Sequence, residues 1–322
     1  MMTGLLIALA AGLASATMFA SIISGALISL VLFYLAPLPL MVAALGWGSM
    51  TALIGGGVAA IGLGAVFGLP YMAAFALTIA LPAWWLGHLA MLARPVSNDP
   101  QLANIAPALD WYPTGRILAW AALFAALTTV SALLTLGSDD ATINAALRRA
   151  LLRIMGGRAA GTPSGDTDRV VDALVAVAPG AATIIAMMTL TLNLWLSAKI
   201  TTTSGRLKRP WPDLRTTTLP PKLLVGLAVA VALSFAGGLI AMLAQIAGSA
   251  MLMAYALAGF AVLHTLTQAI SGRAFVLGAA YAATLFIGWP LLGMISLGLA
   301  DAIFGIRRSY WTKRGPPPLP TS

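Results

Sequence analysis

Few side chains in this sequence could do chemistry, and those that could are far apart. Asp301 ends a long apolar run in "GLADAIFGIRR" (298–308) and is followed by Arg307 and Arg308. His264 and Gln268, in "VLHTLTQAI" (262–270), stand one helical turn apart and share a face. Asn193 and Gln245 are isolated amides in otherwise apolar stretches, and "YLAPLPL" (34–40) places Pro37 and Pro39 in mid-run. These types suit hydrogen bonding to a small solute, or ordinary packing inside a bundle, better than acid–base or nucleophilic catalysis. Two histidines cannot build a multi-histidine metal site, and a chain without cysteine has no thiolate and no disulfide. All nine acids are aspartates, so HExxH is impossible. GxxxxGK[ST] and GxSxG are also missing, and "GLGAVFG" (62–68) reads as helix packing. The expectation is a protein that is not an enzyme and has no cofactor.

The elements that must position these residues follow from the solvent. Hydrophobic residues make up 60% of the 322, charged residues 8%, and no charge occurs before Arg94. Such a chain cannot cover a surface with polar groups, so it belongs in a bilayer. The first apolar run has no basic flank and reads as a retained span rather than a cleaved signal. The net charge of +9 lies at the ends of apolar runs, where anionic lipid accounts for it without nucleic acid.

Runs long enough to span are 4–23, 27–46, 49–68, 70–92, 117–136, 173–198, 223–245, 250–270 and the unusually long 274–304. Lipid cannot satisfy open backbone, and barrel alternation is absent, so the expected fold is all-α: a polytopic bundle of about 8–10 membrane helices. A single membrane domain over 1–306 would be followed by a basic, proline-rich tail, 307–322. In the polar insert 137–172, Ile143, Leu147, Leu151 and Ile154 recur at helical spacing after a cap at Ser138 or Asp139. That helix lies on the membrane surface or packs on the bundle's own loops. Trp84, Trp85 and His88 read as an interfacial belt.

Charge sets the orientation. The stretch 199–222 carries six basic residues and one acid, which marks it cytoplasmic. Counting spans puts the N-terminus and 94–116 inside, 137–172 and a turn at 246–249 outside, and Arg273 inside. The basic tail also belongs inside, which requires 274–304 to fold back at "GWP" (288–290). Arg273 and Asp301 would then share the cytoplasmic interface, with Asp301 paired to Arg273 or capped by the arginines that follow it. Irregular backbone at Pro37 and Pro39, with Asn193, His264 and Gln268, forms the candidate solute pocket. Alanines at four-residue spacing, Ala10 with Ala14 and Ala16 with Ala20, suit either internal packing or a docking face for another membrane subunit.

"LISLVLFYLAPLPLMVAALGW", "YPTGR", "GFAVLHTLTQAISGR" and "GWPLLGMISLGLADAIFGIRR" resemble the YybS-like family of predicted bacterial membrane proteins, a domain of unknown function. That family is distantly similar to the substrate-binding S components of energy-coupling-factor (ECF) transporters. The resemblance implies an S-component-like bundle in the bacterial inner membrane that captures a small solute of unknown identity. It also implies energising partners, a transmembrane coupling subunit and ATPases, docked on a face including Ala10, Ala14, Ala16 and Ala20. S components are shorter, six-helix bundles, and none of their substrate motifs is matched. The rival expectation is a structural or regulatory membrane scaffold with no transported substrate.

Overall fold

The computed structural model describes residues 2–95, 109–156 and 165–314. It is an all-α bundle in which seven segments are long and apolar enough to cross a membrane. The first is α1 (Met2–Ala20) with its 3-10 extension Ser21–Ser24. The second is interrupted: α2 (Leu27–Leu35) and α3 (Pro37–Trp47) meet at Ala36. The third is α4 (Ser49–Phe67). The fourth joins α5 (Leu69–Phe75) and α6 (Leu81–Ala90) through a π-helical stretch, Ala76–Ala80. Pro82 has no N–H to give the Thr78 carbonyl, which accounts for a wide turn there.

Strands β1 (Ala93–Pro95) and β2 (Leu109–Trp111) pair antiparallel, with Arg94 opposite Asp110. The fifth span, α7 (Thr114–Leu134), leads to α8 (Asp140–Gly156). Asp139 caps α8 by accepting from the Thr142 N–H at 2.9 Å and the Thr142 hydroxyl at 2.7 Å. Helix α9 (Gly165–Thr203) has 39 residues, about 58 Å of helix against a core of about 30 Å. Its surplus first turns give α8 a support: Arg148 of α8 pairs with Asp168 and Asp172 of α9, while Ile143 is buried with Leu133, Met242 and Ile246. The amphipathic helix is thus packed on the bundle over its first half, while Ile154 stays 72% exposed.

The C-terminal third departs from expectation. Apolar helix α10 (Pro221–Leu233) has 13 residues, and α11 (Gly238–Leu266) runs unbroken through 246–249. The break lies at 234–237 because Gly237 and Gly238 take positive φ, 79° and 56°, whereas 246–249 is small-residue helix packed on its neighbours. The run 274–304 is two helices, α12 (Arg273–Phe286) and α13 (Pro290–Phe304), bent by 119°. Gly288, at φ 83°, makes the corner, and Pro290 starts the second arm. The basic tail is helical up to α14 (Ile306–Arg314), with Arg307 buried; "GPPPLP" lies outside the described residues. The bundle therefore extends past 306, because Arg307 has partners inside it.

The core gathers around α3, α6, α7, α9 and α11, where Leu40, Met41, Leu86, Ala125, Met187 and Ala254 are fully buried. Close approaches rest on small residues. A Cβ on Gly12 would strike the Gly55 carbonyl, and one on Gly259 would strike that of Met294. The segment 204–220 closes one end. Arg209 donates to the carbonyls of Ala90 and Tyr112, each at 3.0 Å, and the Arg206 guanidinium lies 4.5 Å from the Trp47 ring centre.

Candidate functional site

The interrupted second span is held by protein groups. Pro37 and Pro39 cannot donate to the carbonyls one turn back, and the helix breaks at Ala36. The Ser15 hydroxyl donates to the Ala36 carbonyl at 2.6 Å, and Asn193 Nδ2 donates to the Tyr34 carbonyl at 2.8 Å and to Thr189 at 2.7 Å. Both side chains are buried, and Asn193 Oδ1 has no donor among the described residues. Three of the expected pocket residues, Pro37, Pro39 and Asn193, thus belong to one break, where they act on backbone.

His264 and Gln268 belong to another place, the C-terminal end of α11. His264 Nε2 lies 3.0 Å from the Tyr281 hydroxyl and Nδ1 3.5 Å from Arg273 Nη2, while Tyr281 stacks flat on Phe260 at 4.6 Å. Gln268 sits half-buried in the 3-10 turn Thr267–Ala269 that follows. This cluster fastens α12 to α11. The five residues therefore do not line a common pocket, because the break and the end of α11 are organised by different neighbours.

Of the two arrangements expected for Asp301, the one with the arginines that follow it is found: it pairs with Arg307 at 2.7 Å, while Arg273 lies against His264. The corner at Gly288 reverses the chain, but the arginine six residues on is within reach of the carboxylate and holds it. The four alanines of α1 do not share a free face. Ala10 is exposed and Ala14 half-exposed, while Ala16 and Ala20 pack against the core. Helix α1 makes its close contact with α4 through Ala8 and Gly12 instead.

A cleft at the opposite end combines polar groups with room for a ligand. It encloses about 200 Å³ between α8, α9 and α11. Its polar groups are Asp140, Asn144 and Gln245, set against Ala176, Pro179 and Met242. Since Asp139 does the capping of α8, the Asp140 carboxylate is released from that task. It faces the start of α11, where a Cβ on Gly238 would lie 3.9 Å from its oxygens. No hydrogen bond or ion pair engages Asp140 among the described residues. One carboxylate and two amides on an apolar floor suit a small solute carrying a positive charge or several hydrogen-bond donors. Of the three, the sequence singled out only Gln245. Asp140 was hidden beside its capping neighbour, and only the fold brings Gln245 near it.

Neither a curated protein nor a solved structure matches the chain. A family model does, over residues 9–302, from the first span to beyond Asp301, and its description is that of a predicted membrane protein. The match takes in the stitched break, the cleft and both arms of the bent pair, and the chain belongs to this family of multi-pass membrane proteins, DUF2232.

Proposed function

We propose that this DUF2232 protein is a non-enzymatic, solute-binding subunit of a membrane transport system, and that its solute enters the cleft between α8, α9 and α11. The observation that carries this reading is the unengaged Asp140 carboxylate lining, with Asn144 and Gln245, a cleft of about 200 Å³. That size admits a small cation or amine rather than a bulky cofactor. Charge asymmetry supports uptake. With the basic segment 199–222 on the cytoplasmic side of a bacterial inner membrane, the α8 end faces outward. The chain has no phosphate-binding loop, so movement would be energised by partners, as the S-component resemblance implies. Of the four alanines on α1, Ala10 and the half-exposed Ala14 remain outward-facing for such a partner.

Mass spectrometry of small molecules co-purifying in mild detergent tests this reading. A cationic or amine-bearing species should accompany the wild-type chain and be lost from Asp140→Asn and Gln245→Leu at unchanged yield. An identical complement from all three proteins would overturn it and favour the scaffold reading. The protein-satisfied break at Pro37 and Pro39 already fits a scaffold.

A further inference from the structure

We propose that the groove where the 217–220 strap meets α7 is a binding site for a phospholipid with a net negative headgroup. The groove has a volume of about 240 Å³ and is lined by Tyr112, Arg116, Ala119, Trp120, Leu123 and Pro220. Its walls are fixed. The strap lies so close to α7 that a Cβ on Gly115 would overlap the Thr218 carbonyl. The Tyr112 carbonyl is held by Arg209, and Trp120 stacks edge-on against Trp85 at 5.3 Å. The cavity is therefore formed before any ligand arrives, which lowers the cost of ordering on binding.

Charge and depth point to the occupant. Arg116 stands in the first turn of α7, exposed, and its guanidinium makes no hydrogen bond or ion pair among the described residues. The acid nearest it in sequence, Asp110, is engaged by Arg94 at 2.8 Å. Two residues beyond Pro220, exposed Lys222 adds a second positive charge. Among the described residues no carboxylate lines the groove, so a zwitterionic headgroup would find no partner there for its ammonium, whereas a headgroup such as phosphatidylglycerol's carries none. Below Arg116 the same face of α7 carries Trp120, Leu123 and Leu127, the last two 46% and 48% exposed. A guanidinium, then an aromatic ring, then an aliphatic stripe down a membrane helix is the order of phosphate, glycerol and acyl chain. A free phosphate would use the first and leave the stripe uncovered.

Native mass spectrometry of the full chain, released from bilayers of equal phosphatidylglycerol and phosphatidylethanolamine, tests the site. Wild type should retain phosphatidylglycerol preferentially, and Arg116→Ala should lower that preference about fivefold. Arg116→Lys should keep most of it, and Arg94→Ala, at an exposed pair, should leave it unchanged. Ala119→Trp, which fills the groove and leaves the charge in place, should also abolish the preference and so serves if Arg116→Ala fails to fold. Wild-type retention in Arg116→Ala or in Ala119→Trp would overturn the proposal. Displacement of the lipid by millimolar inorganic phosphate would overturn the lipid assignment.

Discussion

The Asp301 carboxylate is clasped from one residue: Arg307 donates to Oδ2 from Nε at 2.9 Å and from Nη2 at 2.7 Å, and its backbone N–H reaches Oδ1 at 2.8 Å. The last contact caps the start of α14, and Arg307 Nη1 continues to the Arg215 carbonyl at 2.7 Å. One ion pair thereby joins α13, α14 and the 204–220 segment. Both side chains are less than a tenth exposed, so removing one leaves the other charged and buried. Asp301→Asn should destabilise the fold by about 3–5 kcal/mol, read as a lower detergent melting temperature. Asp301→Asn with Arg307→Met should recover part of that loss. A single variant as stable as wild type would show that the pair does not hold this end together.

The contact of α11 with α13 depends on the lack of a side chain at Gly259. Gly259→Ala would press on the Met294 carbonyl and should cost about 1–3 kcal/mol. Gly278→Ala, in α12 with nothing near its new methyl, should be neutral or gain about 0.5–1 kcal/mol. Equal effects in a thermal shift assay would argue against close packing of the two helices.

Ser15 and the prolines of the second span should be coupled. Ser15→Ala removes the side-chain donor to the buried Ala36 carbonyl and should cost about 1 kcal/mol. In a Pro37→Ala, Pro39→Ala background the helix can straighten and draw the Ala36 carbonyl away from Ser15, and the same change should cost less. A double-mutant cycle measures this, and strict additivity would dissociate Ser15 from the break.

The Arg215 side chain, by hydrogen bonding, holds the Asp213 carboxyl below the usual range. A depressed carboxylate stabilises the fold fully above its unfolded pKa, about 3.9, and loses that contribution as pH falls through the lower folded value. Hydrogen exchange at 213–217, corrected for intrinsic rates, should be flat from about pH 7 to 5 and rise only below about pH 4. A rise near neutrality would exclude this pair as the cause.

The 119° bend at Gly288 predicts that both flanks of the pair lie on one side of the membrane. Because the chain lacks cysteine, single cysteines at exposed Ser271 and Thr312 report on this directly. An impermeant maleimide should label both from the same face of sealed vesicles. Labelling from opposite faces would mean that 274–304 crosses the membrane once.

Composition alone determined the solvent and the class of fold. A chain with 8% charge and nine apolar runs without strand alternation is left with helices in lipid, since each helical turn satisfies its own backbone. Local rules also placed the cap at Ser138 or Asp139, the interruption at Pro37 and Pro39 and the corner at "GWP", because prolines, glycines and short polar side chains act on their immediate neighbours. Tertiary structure decided which residues meet. Asn193 reaches the Tyr34 carbonyl across 159 positions of sequence, and Gln245 comes to Asp140 only because α9 overshoots the bilayer and gives α8 a surface to lie on. Between the two partners the sequence offered Asp301, packing made the choice. Arg273 and Arg307 carry the same charge, and the choice fell to the one whose backbone N–H could reach the carboxylate as well.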